Sequence, residues 1–110
     1  MIRIKSINTH FSQIRAFSKE VESKVIMKNH SPNVFEFILN VPKTLNAVDM
    51  DMCNMMNDKL KEWNKDPFNA PRVALMSGAG GKSFCAGGDI VSLYHGHKAG
   101  VKTEELLKFF

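Results

Sequence analysis

A chain of 110 residues, 44% hydrophobic and 24% charged, has room for one small domain with a modest core. No apolar run approaches the twenty or so residues of a membrane-crossing helix, and two cysteines, Cys53 and Cys85, make no disulfide framework, so a thiol compartment is expected. The net charge of +4 lies wholly in the first 19 residues, where Arg3, Lys5, Arg15 and Lys19 have no acid among them, while the rest carries eleven bases and eleven acids; such a neutral body lacks the basic face of a nucleic-acid binder.

The first segment in chain order is "MIRIKSINTHFSQIRAFSK", residues 1–19. It is basic, contains serines, and places Ile2, Ile4, Ile7, Phe11 and Ile14 where one apolar helical face would need them. That pattern predicts a mitochondrial targeting leader, and "RAFS" at 15–18 resembles a matrix processing site. The folded unit is therefore expected over residues 20–110, in the mitochondrial matrix.

"KVIMKNH" (24–30) and "NVFEFILN" (33–40) are rich in β-branched and aromatic residues and flank a Ser-Pro turn. They predict two antiparallel strands joined by a tight hairpin. "VPKTLNAV" (41–48) reads as a loop, punctuated by Pro42 and Asn46. A helix is predicted from Asp49 to about Asp66, capped by Asp49 or Asp51 and stopped by Pro67. Its apolar face would carry Cys53, Met56, Leu60 and Trp63 into the core, with Asp58, Lys61, Glu62 and Lys65 outside.

"VALMSG" (73–78) predicts a buried strand, and the glycine-rich run after it a loop. "IVSLYHGH" predicts a short helix or irregular turn capped by Asp89, and "TEELLKFF" (103–110) a helix with Thr103 as its cap. The order β-β-α-β-loop-α implies an α/β arrangement whose second and third strands run parallel. Phe109 and Phe110 at the end of a helix read as the start of something longer.

Five of the seven glycines fall in "GAGGKSFCAGGDI", residues 78–90. A phosphate-binding P-loop would need glycine where Met76 stands, and a dinucleotide fingerprint would need glycine at Ser83. Cys85, Asp89, His95 and His97 match no metal-ligand spacing, and Cys85 as a nucleophile would need a base that the sequence does not reveal. An oxyanion hole fits better. A sharp turn after a strand can aim a backbone N–H at one point, and glycine lets a carbonyl approach it.

The same stretch resembles the "F-C/S-A-G-x-D" signature of the enoyl-CoA hydratase/isomerase (crotonase) superfamily. Its double glycine is more similar to the 3-hydroxyisobutyryl-CoA hydrolase branch than to the hydratases. "LNVPKTLNAVDMDM", "LKEWNKDP" and "DIVSLYHGHKAGVKTEELLKFF" resemble the branch in the same order, so the likeness runs from Lys24 to Phe110. Val41 departs from it, standing where the family usually has arginine.

The resemblance implies an α/β fold that is an incomplete, N-terminal part of a ClpP/crotonase-type β-β-α spiral. It implies that the Gly88 N–H is one oxyanion-hole donor. It implies that Lys43, Leu45 and Ala47 lie along coenzyme A, that Ser83 and Ala86 offer backbone near the adenine end, and that Asp89 fixes the turn. No metal and no cofactor is implied beyond the coenzyme A carried by the substrate. The second donor and the catalytic acids belong to later segments of the family. Glu104 and Glu105 match no catalytic position, so the chain alone is expected to be inactive.

The implied function is that of the N-terminal portion of a 3-hydroxyisobutyryl-CoA hydrolase-like protein, hydrolysing an acyl-CoA thioester in valine breakdown. The alternative is a non-catalytic structural subunit of a mitochondrial assembly such as the small subunit of the mitochondrial ribosome. A plain enoyl-CoA hydratase comes third. The implied partners are an acyl-CoA substrate and a second chain, or a large assembly, that completes the fold. Neither a membrane nor direct contact with nucleic acid is expected.

Overall fold

Alternation governs the sheet. The structure, a computed structural model, describes residues 22–108. In "VFEFIL" every second residue is apolar and bulky, and in strand β2 (Val34–Leu39) Phe35, Phe37 and Leu39 are buried while the residues between them are half-exposed. Strand β1 (Val25–Ser31) pairs with it antiparallel through a two-residue turn at Pro32 and Asn33, setting buried Val25 against Leu39. Strand β3 (Val73–Gly78) joins the other edge of β2 in parallel, with Val34 opposite Val73 and Leu39 opposite Gly78, so the sheet order is β1-β2-β3. The expected hairpin and parallel crossover are both present.

The crossover is helix α1 (Met50–Lys65). Asp49 caps it, its carboxylate accepting from the Met52 N–H at 2.9 Å, so of the two candidate caps Asp49 takes the role. Lys24 ties the same corner to β1, donating to Asp49 at 2.6 Å and Asp51 at 2.9 Å. Those two hydrogen bonds push its ammonium up to about 12. The helix ends at Lys65, with Asp66 at φ −137° and ψ 72°, outside the helical region that a following proline disfavours.

α1 lays Met52 fully into the core, with Met55, Met56 and Trp63 packed beside it against Val25, Phe35, Phe37 and Leu39. The rings of Phe35 and Phe37 meet edge-on at 5.1 Å, and Trp63 closes on Phe35 at 5.0 Å.

Three expectations are corrected here. Leu60 is 46% exposed and lies outside the core, because the helix rolls to bury Met52; Cys53 is only half-buried. β3 is not a buried strand: Val73, Leu75 and Met76 are each about half exposed, since α1 covers only the β1–β2 side. Helix α2 (Ile90–Lys98) is formed, but in helix α3 (Thr103–Leu107) Thr103 is the first helical residue, preceded by Lys102, and no side chain caps it. The leader at 1–19 and the terminal Phe109 and Phe110 lie outside the described residues.

Candidate functional site

The site is assembled by two loops that the sheet brings side by side. The first follows β2: a 3₁₀ turn at Pro42–Thr44, then Leu45 and Asn46 with φ of 53° and 57°. Two successive non-glycine residues in the left-handed region are costly and need support. Asn46 supplies it, being wholly buried and fully hydrogen-bonded. Its Oδ1 accepts from the Val41 N–H at 2.9 Å, and its Nδ2 donates to the carbonyls of Ala79 at 3.0 Å and Ser83 at 2.9 Å.

The second loop is the glycine run. Gly80, Gly81 and Gly87 take φ of 94°, 70° and 105°, conformations in which a side chain would be strained. Gly78 is needed for a different reason. A Cβ there would stand 2.6 Å from the Ser83 carbonyl and 2.8 Å from Asn46 Nδ2.

Residues 45–48 then pair with 86–89. The Ala86 N–H donates to the Leu45 carbonyl at 3.0 Å, Val48 N–H to Gly87 O at 2.8 Å, and Asp89 N–H to Val48 O at 2.8 Å. Val48 and Gly88 thus form a parallel bridge. In such a bridge the neighbours of Gly88 take both hydrogen bonds, so its own N–H points away from Val48. Among the described residues the Gly88 N–H donates to no partner. Gly88 is exposed, and its amide is open to an outside acceptor.

Asp89 ends the turn and starts α2. Its carboxylate accepts from the Val91 and Ser92 N–H groups at 3.1 and 3.4 Å and from the Ser92 hydroxyl at 2.7 Å. The Ser92 hydroxyl first, then the two amides, hold its carboxyl below the ordinary aspartate range. A depressed value contributes stability that is present above the unfolded value of about 3.9 and lost as pH falls through the folded one. Acidification below about pH 4 is therefore expected to release the start of α2 before the sheet opens. Hydrogen-exchange protection of the Val91 and Ser92 amides measures this, and Asp89→Asn should flatten the dependence. Protection that holds unchanged down to pH 3 in the native chain would show that the carboxylate does not fix the turn.

Among the other residues singled out from the sequence, Lys43 and Leu45 are exposed on the first loop and Ala47 is half-buried. Ser83 uses its carbonyl on Asn46, and Ala86 uses its amide on Leu45. A cavity of about 440 Å³ opens beside the glycine loop, lined by Ser77, Gly78, Gly81, Lys82, Ser83 and Phe84. A second, of about 460 Å³, is lined by Asp89, Ser92, Leu93 and the Lys24–Asp49–Asp51 cluster. A larger one, about 650 Å³, lies between the hairpin and α1 beside His30 and Trp63 and contains none of these residues. It is a groove at the edge of the core rather than part of the site.

Two other chemistries can be judged on geometry. The Cys85 sulfur meets the Gly87 N–H at 3.4 Å, so it lies against backbone rather than against an activating base. On the sheet face away from α1, Ser77 Oγ and His30 Nε2 each lie 2.6 Å from the Glu36 carboxylate. The carboxylate stands between hydroxyl and imidazole, so no nucleophile–base pair is formed. The Ser77 hydroxyl, followed by His30, holds Glu36 below its ordinary range.

Asn46 is the residue that sequence reading undervalued. It was legible as a turn residue, and asparagine is the non-glycine side chain that best tolerates positive φ. Its partners lie 33 and 37 positions away, and no local pattern announces them.

The three-stranded mixed sheet, the crossover helix and the turn after β3 define part of a crotonase-type α/β fold. The sequence pattern of the enoyl-CoA hydratase/isomerase family matches residues 34–110, and the chain belongs to that family. It is 35% identical over 103 residues to the mitochondrial 3-hydroxyisobutyryl-CoA hydrolase of Rattus norvegicus, a match covering 86% of this chain and 26% of that protein. It is 33% identical over 112 residues to the small ribosomal subunit protein mS47 of Arabidopsis thaliana, covering 99% of this chain and 26% of that one. Among solved structures, a carnitinyl-CoA dehydratase from Mycobacterium thermoresistibile superposes with a TM-score of 0.64 at 34% identity, over 77% of this chain and 24% of that one. The chain spans about a quarter of the length of these relatives.

Proposed function

We propose that this chain is the N-terminal portion of a 3-hydroxyisobutyryl-CoA hydrolase-like protein of the mitochondrial matrix, and that its site holds an acyl-CoA thioester. The observation that carries this reading is the Gly88 N–H, turned outward by the Val48 bridge at the start of a capped helix. Lys43, Leu45 and Ala47 would lie along the coenzyme A chain, with the Ser83 and Ala86 backbone near its adenine end and Asp89 holding the turn. The thioester oxygen would accept from Gly88, which stabilises the charge that develops there during attack.

A single donor is not a complete hole. Removing one oxyanion donor typically costs about 3–4 kcal/mol, a factor of 10² to 10³ in rate. Glu104 and Glu105 belong to the first turn of α3. Binding without hydrolysis is therefore the expected behaviour of these 110 residues, and a second polypeptide segment supplying a donor and a carboxylate would restore turnover. The test is calorimetric titration of the full chain with isobutyryl-CoA, alongside thiol release from 3-hydroxyisobutyryl-CoA. Saturable binding of the acyl-CoA with no thiol released supports the reading. Absence of binding, with or without a companion chain, overturns it.

The second reading is a structural subunit of a mitochondrial assembly. It is favoured by the match to the plant ribosomal protein, which runs over 99% of the chain. Co-sedimentation with the small subunit of the mitochondrial ribosome, resistant to a salt wash, would select it.

A further inference from the structure

We infer that Asn46 is the positioning residue of the site: its side chain is the staple that sets the Gly88 turn against the loop after β2. Three separate observations converge on it. Among the described residues it is the buried polar side chain, 0% exposed. It occupies a left-handed conformation at φ 57° next to Leu45 at 53°, a strain that must be offset by its surroundings. The chain also leaves out a side chain at Gly78, where a Cβ would come within 2.8 Å of Asn46 Nδ2.

The orientation of the amide follows from its partners. The Val41 N–H can only donate, and the Ala79 and Ser83 carbonyls can only accept. The Oδ1 must therefore face Val41 and the Nδ2 must face the glycine loop. Aspartate cannot replace it at neutral pH, because a carboxylate would confront two carbonyl oxygens. Serine is too short to span both loops.

The staple acts on Gly88 through the ladder. Asn46 lies between Leu45, whose carbonyl takes the Ala86 N–H, and Val48, which bonds Gly87 and Asp89 on either side of Gly88. Drawing Val41, Ala79 and Ser83 onto one side chain fixes where residues 45–48 stand relative to 79–83, and the ladder passes that placement to 86–89. Without it the left-handed pair at 45 and 46 relaxes, the 48–88 bridge loosens, and the Gly88 N–H no longer points to one place. The consequence for a bound thioester rests on the acyl-CoA reading given above; the placement of the turn does not.

Two variants separate the side chain from the backbone. Asn46→Gly keeps the left-handed conformation at no steric cost and deletes the staple. Asn46→Asp keeps the size and the acceptor for Val41 but reverses the two donors. Amide hydrogen exchange on the full chain is the readout, with infrared detection of the thioester carbonyl of added isobutyryl-CoA. In both variants at pH 7, protection of the Val48 and Asp89 amides should fall at least about tenfold, a loss of about 1.4 kcal/mol in the local opening equilibrium, while Phe37 in the sheet keeps its protection. Near pH 4, Asn46→Asp should recover part of the loss, since a protonated carboxyl can donate again, and Asn46→Gly should not. The lowered carbonyl frequency of the bound thioester should vanish at pH 7 in both.

Unchanged protection at Val48 and Asp89 in Asn46→Gly overturns the proposal. So does an equal loss across the whole sheet, which would make Asn46 a general stability residue. If native protein fails to bind isobutyryl-CoA while the local exchange changes as described, the acyl-CoA reading falls and the positioning role stands.

Discussion

Phe37→Ala is expected to cost this domain about 3–5 kcal/mol of stability. Phe37 is buried at the centre of β2, edge-on to Phe35 at 5.1 Å and 5.7 Å from Trp63. Truncating such a ring removes its transfer free energy and leaves a void, together about 3–5 kcal/mol. A folded unit of this size has roughly 4–13 kcal/mol in all. Near the lower end the variant would not fold, and near the upper end its melting temperature would fall by more than about 12 °C. The single tryptophan reports the event, because Trp63 packs on both rings and its emission will shift to longer wavelength when they separate. Phe68→Ala is the control, since Phe68 is 98% exposed and should leave the melt unchanged. A shift below about 5 °C for Phe37→Ala would mean that the Phe–Trp cluster is not the centre of the core.

Gly78→Ala is expected to damage the site by crowding the contact between its two loops. The added carbon would stand 2.6 Å from the Ser83 carbonyl and 2.8 Å from Asn46 Nδ2, and would also press on the Phe84 carbonyl. Two of these neighbours are backbone and the third is held by three hydrogen bonds, so none can yield cheaply. Overpacking of this kind costs about 1–3 kcal/mol and sometimes more. The strain falls on the contact between the two loops, so acyl-CoA binding should weaken before the sheet melts. Gly81→Ala is the comparison: its Cβ meets nothing within 4 Å, leaving only the cost of a left-handed φ, about 1–2 kcal/mol. Equal melting temperatures and equal binding for the two variants would refute the crowding argument at Gly78.

Much of the fold was legible because its signals are local. The period of two in "VFEFIL", an aspartate before a run of helix formers, and a proline that disfavours helix at the residue before it each act over a few positions. Asp89 as the cap of α2 was legible for the same reason, and the glycine crowding marked the turn. Exposure was less legible. "VALMSG" has the composition of a strand covered on both faces, yet within the described residues α1 packs over β1 and β2 and leaves β3 exposed. Leu60 followed the helical period on paper, but the roll that buries Met52 turns it outward. Thr103 has the residue type of a cap, but the helix begins at it rather than after it.

Local residue patterns set which segments become strands, helices and turns, and the chain carries its family pattern from residue 34 onward. Those properties rest on side-chain period, capping chemistry and the conformational freedom of glycine, all settled within a turn or two of chain. The pairing of Val48 with Gly88, and the tie that Asn46 makes from Val41 to Ala79 and Ser83, come instead from the folded arrangement. Hydrogen bonds between residues some forty positions apart leave no period in the sequence. They appear only when the parallel pairing of β2 and β3 sets the ends of the two strands side by side. The direction of the Gly88 N–H, on which the proposed chemistry depends, is a product of that pairing.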